Sequence, residues 1–538
     1  MTSKDSMFNW RFLLIILLII SSFIVIIFKI FSIHFQESGF LQNEGNKRYI
    51  KYKNISPIRG TIFDRNNFPL AVSIVNYDLY ALKNFNKADL LRLSEYIDLE
   101  SLLDKEFQRK TLLKSGISKE DINFIKKLSL KNLEIETRHS RHYPLGDQIS
   151  TLIGFYGKDG AQEGLEKSYD RVLSGTSGRK KFFTNAKQQI ISQPIEIKKA
   201  VEGSDIHLTI DSTIQYYAYK FLAEGIINNK AKAGTVVILD NEKGEVLALA
   251  SYPSYNPNNP QRKIQKNRAL VDAYELGSVL KPIVLSKAID INILLPDSKI
   301  KIPRRLNLNE KVIVDTRIYE ELSPKEIIAV SSQIGASLIA LKLGYENLKD
   351  NYYDFGFTKP VSINFPSSAF GYMDIKENAL DKEIASLGYG YGITMSPFQI
   401  ASAYSVFAND GIYKAFKLLK NQDTFSRKII SSKSANFILD ALEKVIRDGT
   451  GKSANLKGFS VGGKTGTVHQ IKKGVGYAED IYRASFIGIT PLNKKSLTIF
   501  VSVDDPGLNA YSGGAVAAPI FANIAQSSLN HLGYFEDE

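Results

Sequence analysis

The residues with the clearest potential for chemistry are a serine and a lysine three positions apart, Ser278 and Lys281. Pro282 follows, and because proline fits a helix only within its first turn, a helix is predicted to begin close to Ser278. Residues i and i+3 share one helix face, so the hydroxyl and the amine are predicted to lie within hydrogen-bond range. Unpaired N–H groups at the helix start could stabilise an oxyanion beside the serine. The pattern is that of a serine nucleophile with a lysine base.

A lysine can act as this base only if its pKa falls far below the ordinary value of about 10.4. A depression of about three units corresponds to roughly 4 kcal/mol, which burial and a second nearby cation could supply. The spacing alone is weak evidence, because Ser177 with Lys180 and Ser298 with Lys301 show it too. The assignment of the nucleophile therefore depends on other residues that converge on it.

A second candidate element is Lys464-Thr465-Gly466-Thr467, which follows two glycines in a strand-like segment. Alternation along a strand would place Lys464 and Gly466 on one face and the two threonines on the other. A lysine with neighbouring hydroxyls suits a carboxylate, and glycines permit close approach of a ligand to the backbone. The alternative is a glycine-rich turn with a solvated lysine.

A third element, Ser331-Ser332-Gln333, falls within a stretch predicted to be helical over residues 326–344. A hydroxyl here could relay a proton to a leaving amine if the fold brings it close to Lys281. The alternative is an ordinary helix break or helix cap. The element alone does not decide between these interpretations.

The amino-acid composition excludes several kinds of active site and binding partner. The 538 residues include no cysteine, which excludes disulfides, thiolate nucleophiles and cysteine-ligated metals. None of the six histidines has an HExxH spacing, so neither a metal nor a cofactor is predicted. The 69 basic residues exceed the 56 acidic ones but are interleaved with them, so nucleic acid is not an expected partner.

The apolar and polar residues around these motifs predict the helices and strands that carry them. Two apolar runs around a polar turn, residues 233–240 and 245–251, predict a β-hairpin. Strands, then helices, then strands again predict an α+β fold with one sheet closed by both ends of this region. The other predicted elements are helices over 87–97, 119–130, 278–291, 326–344 and 397–408, and strands over 461–468, 484–490 and 496–503.

The amino-terminal region is predicted to be a membrane anchor. Residues 12–28 form an uncharged run of 17 residues, and the apolar stretch continues past Lys29 to Ile33. This length is sufficient to cross about 30 Å of hydrocarbon. A cleaved signal peptide is the alternative, but the run is long and no A-x-A pattern follows it. Everything after about residue 34 is predicted to lie on one side of the membrane, and the flanking basic residues leave the orientation open.

The order SxxK, Ser-x-polar and KTG resembles that of the serine penicillin-recognising enzymes. Further blocks narrow the resemblance to class B penicillin-binding proteins and to their division-specific, FtsI-like branch. The blocks are NRALVDAYELGSVLKP (267–282), RGTIFDRNNFPLAVS (59–73), RHYPLGDQISTLIGF (141–155), GLEKSYDRVLSG (164–175), GYGYGITMSPFQIASAY (388–404) and YSGGAVAAPIF (511–521). The resemblance extends from the anchor to about residue 525.

The resemblance implies a D,D-transpeptidase that cross-links peptidoglycan stem peptides at the division septum and is acylated by β-lactams. Ser278 would attack the penultimate D-Ala carbonyl, Lys281 would be the general base and Ser331 would pass a proton towards the leaving D-Ala. Backbone N–H groups of Ser278 and Thr467 would form the oxyanion hole. The implied substrate-binding residues are Gln333, Lys464, Thr465, Gly466 and Thr467.

The resemblance also implies the domain organisation. It predicts a cytoplasmic tail (1–11), a transmembrane helix (12–33), an elongated mixed α/β pedestal module of dimerisation type (34–200), a transpeptidase domain with a central antiparallel sheet flanked by helices (205–530) and a tail (531–538). The catalytic domain would lie in the periplasm or outside the cell, anchored to the cytoplasmic membrane by one span.

The pedestal module would contact division partners, including a SEDS-type glycan polymerase. Its implied functional residues are Arg59, Gly60, Asp64, Arg65 and Glu166.

The sequence departs from the family pattern at three positions. Gln333 stands where asparagine is usual, Leu276 where proline is usual and Asn67 where glycine is usual. Asparagine tolerates left-handed backbone, so the last change is mild. Gln333 keeps open one alternative to the transpeptidase, a catalytically weakened division scaffold. Among enzymes, the alternative is a D,D-carboxypeptidase or β-lactamase-like hydrolase, in which water attacks the acyl-enzyme.

Overall fold

The structure is a computed structural model that describes residues 6–35, 38–103, 105–157, 159–185, 190–260, 265–309, 311–373, 378–472, 476–492, 495–507 and 510–535. Parts of the predicted tails, residues 1–5 and 536–538, lie outside the described residues. The chain divides into two compact units. The first comprises Met1–Ile58 and Ser174–Gly203, and the second comprises Arg59–Leu173 and Ser204–Glu538. The boundaries that the sequence places at residues 34, 200 and 205 stay predictions.

The first unit contains a long amino-terminal helix, Ser6–Phe35. Its segment Trp10–Phe35 contains an 18-residue stretch with a mean hydropathy of 3.1, and is long and apolar enough to cross a membrane, judged by length and composition. The predicted span, residues 12–33, lies within it. The other elements of this unit are the helix Ser38–Tyr49 and a three-stranded antiparallel sheet of Ile50–Ile55, Gly178–Phe183 and Ile195–Lys198.

The second unit begins with a five-stranded sheet whose longest strand, Pro69–Ala81, pairs antiparallel with three others. Helices Lys87–Ser94 and Lys119–Lys127 bury one apolar face each, which confirms two predicted amphipathic helices that end a few residues earlier than predicted. The other strands of this sheet are Ile206–His207, Ile62–Phe63, Thr111–Ile117 and Leu133–His142.

A second five-stranded sheet, here called the central sheet, is entirely antiparallel. The predicted hairpin forms two of its strands, and the last three strands of the chain complete it. This arrangement confirms the α+β prediction, because segments from both ends of the region share one sheet. The strand order is Glu245–Tyr252, Ala233–Asp240, Leu497–Asp504, Gly476–Thr490 and Gly462–Lys472.

The central sheet separates two hydrophobic layers, because successive side chains of a strand point to opposite faces. Val237 belongs to the core that includes the helix Lys281–Asp290. Its neighbour Val236 belongs to the core packed by the helices Ser212–Asn228 and Gly513–His531. Both layers consist of many buried apolar side chains, so the sheet is packed on both faces.

The remaining elements of the second unit are short or lie around the central sheet. The helices are Ser150–Ile153, Gly164–Ser168, Asp170–Leu173, Arg268–Val271, Pro324–Val330, Gln333–Asp354, Asp381–Gly388, Pro397–Ala408 and Ser432–Arg447, with 3₁₀ turns at Glu100–Leu102, Gly146–Gln148, Gly277–Leu280 and Lys452–Ala454. The paired short strands are Tyr156–Gly157 with Gly160–Ala161, Ile300–Lys301 with Glu321–Leu322, Leu306–Leu308 with Lys311–Ile313, Tyr372–Met373 with Ile393–Thr394, and Ile412–Lys414 with Ser426–Lys428.

The prediction of one continuous helix over residues 326–344 is wrong. Helix Pro324–Val330 ends at Ser331, whose φ of 61° is left-handed. The next helix, Gln333–Asp354, begins after Ser332, whose Oγ accepts a hydrogen bond from Gly335 N at 2.8 Å. A left-handed residue cannot continue the helical ladder, and a serine cap restarts it. The break exposes Ser331 between two helix ends.

Candidate active site

Ser278 lies in the 3₁₀ turn Gly277–Leu280, which leads directly into the buried helix Lys281–Asp290. The predicted helix start is confirmed, with Pro282 in the first turn. Gly277 has a φ of 59°, and a Cβ there would lie 2.5 Å from a side-chain carbon of Val468. Backbone geometry and the lack of space therefore both require glycine before the half-buried Ser278.

Two buried lysine amines converge on one serine. Lys281 Nζ donates to Ser331 O at 2.5 Å and to Ser331 Oγ at 3.1 Å. Lys464 Nζ donates to the same Oγ at 2.9 Å and to Thr465 O at 3.1 Å. The three elements identified separately in the sequence therefore meet at Ser331.

One predicted contact is wrong. In the described part of the chain, no hydrogen bond joins Ser278 Oγ to Lys281 Nζ, and the amine bonds to Ser331 instead. Residues i and i+3 lie on one side of a 3₁₀ turn as well, so the difference lies in the Lys281 amine, which is held by two acceptors of Ser331.

Burial lowers the pKa of both amines. Lys281 is 1% exposed, and this burial lowers its pKa from 10.5 to about 7, although the Asp315 carboxylate acts in the opposite direction. Lys464 is 0% exposed, and burial together with the charge of Lys281 holds the pKa of Lys464 well below its usual value. A large fraction of the Lys281 amine is therefore unprotonated near neutral pH and can accept a proton.

Asp315 is a site residue that sequence reasoning missed. Its two carboxylate oxygens accept hydrogen bonds from Ser332 Oγ at 2.5 Å, Gln333 N at 2.5 Å and Ile334 N at 3.2 Å. The carboxylate therefore caps the helix that follows Ser331 and holds the break in place. No motif marks this aspartate, and only the fold brings it to a helix that begins 18 residues later.

The Lys464–Thr467 strand has the predicted alternation. Lys464 reaches towards Ser331, and a Cβ on Gly466 would lie 2.9 Å from Leu276 O, beside the turn that carries Ser278. The threonine hydroxyls bond elsewhere, since Thr465 Oγ1 pairs with Thr450 Oγ1 at 2.7 Å and Thr467 Oγ1 accepts from Gly513 N at 3.0 Å. The Thr467 hydroxyl proton stays available for a carboxylate ligand.

Gln333 differs from the other predicted site residues because its side chain is exposed. Its backbone N–H is anchored by Asp315, and its side chain lines a cavity beside Ser331. The pattern at Ser298 and Lys301 has no such surroundings, because Ser298 Oγ bonds to Leu295 O in a turn and Lys301 is exposed on a short strand.

The predicted pedestal residues Arg59 and Glu166 form a buried charge cluster in the second unit. Glu166 is 0% exposed, and its carboxylate pairs with Arg59 Nε at 2.7 Å and with Arg141 Nε at 2.7 Å. Arg59 also pairs with Asp170 at 2.6 Å. Arg141 is a member that the sequence did not single out. Breaking a buried pair leaves an uncompensated charge, so this cluster stabilises one specific arrangement of its strands and helices.

The segment after Arg59 is tied to the central sheet. Asp64 Oδ1 accepts from Asn66 N and Phe68 N, both at 2.7 Å, and closes a turn in which Asn67 has a φ of 64°. Left-handed backbone suits asparagine as well as glycine, so the departure at this position is accommodated. Arg65 pairs with Glu245 at 3.1 Å, at the start of a central strand.

Gly60, next to Arg59, also packs closely against backbone from distant parts of the sequence. Its N–H donates to Leu173 O at 2.9 Å, and a Cβ there would lie 2.1 Å from Ser204 O. The backbone approach is too close for any side chain.

Comparisons with known proteins agree with this architecture. The model of the penicillin binding protein transpeptidase domain matches residues 234–526, and that of the penicillin-binding protein dimerisation domain matches residues 54–208. The chain belongs to the penicillin-binding protein transpeptidase family, in the class B arrangement of a dimerisation domain followed by a transpeptidase domain.

Individual relatives cover nearly the whole chain. A probable peptidoglycan D,D-transpeptidase PenA of Neisseria gonorrhoeae is 32% identical over 92% of this chain and 88% of its own length. The peptidoglycan D,D-transpeptidase FtsI of Escherichia coli K12 is 29% identical over 98% of this chain and 93% of its own length. A solved peptidoglycan synthase complex that coordinates polymerization and crosslinking contains a chain of similar fold, with a TM-score of 0.77, 21% identity, and coverage of 96% of this chain and 98% of that one.

Proposed function

We propose that this protein is a serine D,D-transpeptidase that cross-links peptidoglycan stem peptides through an acyl-Ser278 intermediate and is acylated at the same serine by β-lactams. The observation that carries the proposal is the convergence of two buried amines, Lys281 and Lys464, on Ser331. Desolvating two lysines is costly, and a structural role does not require it.

In the acylation step, neutral Lys281 Nζ takes the proton of Ser278 Oγ while that oxygen forms a bond to the carbonyl carbon of the penultimate D-Ala. Backbone N–H groups of Ser278 and Thr467 stabilise the oxyanion. The carbon–nitrogen bond then breaks, and the proton passes from Lys281 through Ser331 Oγ to the leaving amine. The hydrogen bonds between Lys281 and Ser331 supply this path.

In the second step, the amine of another stem peptide attacks the acyl ester and forms the new amide bond while the ester bond to Ser278 Oγ breaks, and the proton that the amine loses passes through Lys281 back to Ser278 Oγ. Lys464, with the hydroxyls of Thr465 and Thr467, holds the terminal carboxylate of the donor peptide. The hydroxyl proton of Thr467 suits that role, because the Thr467 oxygen accepts from Gly513 N and its proton stays available as a donor. A β-lactam has no leaving group that departs, so its acyl-enzyme persists.

The test is incubation of the full chain in detergent with a fluorescent penicillin, followed by intact mass measurement. We expect one stable adduct that is lost in Ser278→Ala and retained in Ser298→Ala, the matched control in the other S-x-x-K pattern. Rapid loss of the adduct would instead favour a hydrolase. No adduct at saturating drug would contradict the proposal and favour a division scaffold.

We further propose that the catalytic domain lies outside the cytoplasmic membrane, at the septum, and works with a SEDS-type glycan polymerase. The single amino-terminal apolar helix and the resemblance to the division-specific branch support this placement. Because the chain has no cysteine, Lys342→Cys provides a single exposed label site. Labelling by a membrane-impermeant maleimide in spheroplasts is expected, and labelling only after lysis would refute the orientation.

A further inference from the structure

The first unit carries a strongly basic sheet soon after the membrane span, here called the juxtamembrane sheet. Its strands are Ile50–Ile55, Gly178–Phe183 and Ile195–Lys198. Together they hold six basic side chains and one acidic side chain, namely Lys51, Lys53, Arg179, Lys180, Lys181 and Lys198 with Glu196. In the sequence, the helix Ser38–Tyr49 connects the span to this sheet, and its 12 residues are about 18 Å long. The sheet therefore begins close to the membrane surface.

Three of these cations share one face of the juxtamembrane sheet. Lys181 lies directly opposite Tyr52 in the neighbouring strand. Arg179, two residues before Lys181, lies directly opposite Lys198 in the third strand. Residues that lie opposite each other in an antiparallel pair point to the same face, and so do residues two apart in one strand. Arg179, Lys181 and Lys198 are therefore on the same side as Tyr52, which is here called the groove face.

A cavity of about 600 Å³ lies between the groove face and the helix Ser38–Tyr49. Phe40 and Lys47 line it from the helix, and Tyr52 and Lys181 line it from the sheet. Glu44 also lines the cavity, but Lys47 pairs with its carboxylate at 2.5 Å. The positive charge of Lys181 is therefore not offset by this carboxylate.

The cations of the groove face rest on aromatic rings instead of carboxylates. The Arg179 guanidinium carbon lies 4.1 Å from the centroid of the Tyr52 ring, and Lys181 Nζ lies 4.8 Å from that of Phe183. Among the residues that the structure describes, no carboxylate forms an ion pair with Arg179, Lys181 or Lys198. A cation that rests on a ring keeps its remaining N–H groups available for an anion. Phosphate suits this arrangement, because arginine can bind it with two parallel hydrogen bonds.

Large apolar side chains lie beside these cations and are exposed. The exposed fractions are 51% for Tyr52, 51% for Ile195 and 66% for Phe40. Aromatic rings together with lysine and arginine are typical of surfaces at the level of lipid headgroups, where one part of a side chain meets apolar chains and the other meets phosphate or water. The groove face therefore has the composition of a surface that contacts a membrane.

We propose that the groove face of the juxtamembrane sheet binds the headgroups of anionic phospholipids, with lipid phosphates at Arg179, Lys181 and Lys198. The span holds the sheet near the lipid, so the attraction acts at a high effective concentration. Each cation close to an anionic surface strengthens binding about fivefold, so three cations together raise the ratio of bound to unbound sheet about 100-fold. This inference does not depend on the chemistry at Ser278.

The test uses the full chain reconstituted into vesicles of phosphatidylcholine alone or of phosphatidylcholine with phosphatidylglycerol. Because the chain has no cysteine, Asn54→Cys places one fluorophore at an exposed position of the groove face. A small amount of phosphatidylcholine with a nitroxide on its headgroup quenches the fluorophore only at short range. We expect stronger quenching in the vesicles that contain phosphatidylglycerol. This difference should disappear when salt is raised from about 0.1 M to about 1 M, because the screening length falls from about 10 Å to about 3 Å.

Charge variants in this labelled chain assign the effect to the groove face. Replacing Arg179, Lys181 and Lys198 together by glutamine should abolish the extra quenching, since the bound fraction falls about 100-fold. Arg179→Lys keeps the charge and should preserve the extra quenching, provided that charge and not a single side-chain shape is what binds.

The matched control removes the same charge elsewhere. Lys126, Lys127 and Lys131 are exposed in the second unit, and replacing all three by glutamine should leave the extra quenching unchanged. Its loss in this control would refute the assignment to the groove face. Equal quenching in the two kinds of vesicle, or extra quenching that survives in the groove-face variant, would refute binding of anionic lipid. Equal quenching would favour an acidic segment of a protein partner as the occupant of this face.

Discussion

Replacing Asp315 with asparagine is expected to move the pH dependence of Ser278 acylation to lower pH. Burial lowers the pKa of Lys281 to about 7 even though the Asp315 carboxylate acts to raise it. In the unmodified protein, acylation should slow about tenfold for each pH unit below pH 7, because the protonated amine cannot accept a proton. Without the carboxylate the pKa of Lys281 falls, so more of the amine is neutral in acid.

The same substitution also removes a structural contact. The carboxylate accepts three hydrogen bonds at the start of the helix that follows Ser331. Loss of a capping charge at a helix start costs about 1 kcal/mol. The maximal acylation rate at high pH is therefore expected to fall together with the stability, while the acidic limb moves to lower pH. A purely structural role for Asp315 predicts only the first two effects.

The assay is the rate constant of acylation by a fluorescent penicillin between about pH 5 and 9, with the full chain in detergent. The control is Glu326→Gln, since Glu326 caps the preceding helix through Ser323 and is not a charge that acts on Lys281. The Glu326→Gln variant should lower stability without shifting the acidic part of the pH profile of acylation. An unchanged limb in Asp315→Asn, or a shift to higher pH, would show that the reasoning about Lys281 is wrong.

Three further substitutions test the packing around the site. Glu166→Gln leaves two buried guanidinium groups with one negative charge fewer, and it should lower the free energy of unfolding by about 3–5 kcal/mol. Denaturant titration measures this loss. Asp170→Asn, which changes a half-exposed partner of Arg59, should cost far less. Gly466→Ala places a Cβ 2.9 Å from a backbone oxygen and should lower both Tm and penicillin acylation, while Gly39→Ala, with nothing within 4 Å, should change neither. Ser331→Ala removes the shared acceptor of both lysines and should slow acylation about 100-fold, and a rate near that of the unmodified protein would argue against the relay.

The departure at Gln333 shows how a local change is absorbed. Its backbone N–H donates to Asp315, which also accepts from the Ser332 hydroxyl, so the extra methylene does not disturb the cap. The longer side chain extends instead into the cavity that Glu275 and Lys311 line. Its effect on substrate binding is therefore expected to depend on what occupies that cavity.

The sequence by itself determined the secondary-structure frame and the identity of the chemical groups. The hairpin at residues 233–251, the helix Pro397–Ala408 and the late strands follow from local periodicity and turn chemistry, which act within a few residues. Motif order identified Ser278, Lys281 and Lys464 as candidates. Local patterns fix such features because side-chain alternation and helix capping require no knowledge of distant contacts.

Tertiary structure alone decided how those groups meet. The left-handed Ser331 interrupts a stretch whose periodicity reads as one helix, because the break depends on a cap from Asp315 in another segment. The pKa of Lys281 depends on desolvation by surrounding layers, which no spacing encodes. Glu275 and Lys311 likewise come together only when the fold encloses both in one cavity. Burial and long-range electrostatics are properties of the assembled chain, and for that reason the sequence named the reactive groups but left their reactivity open.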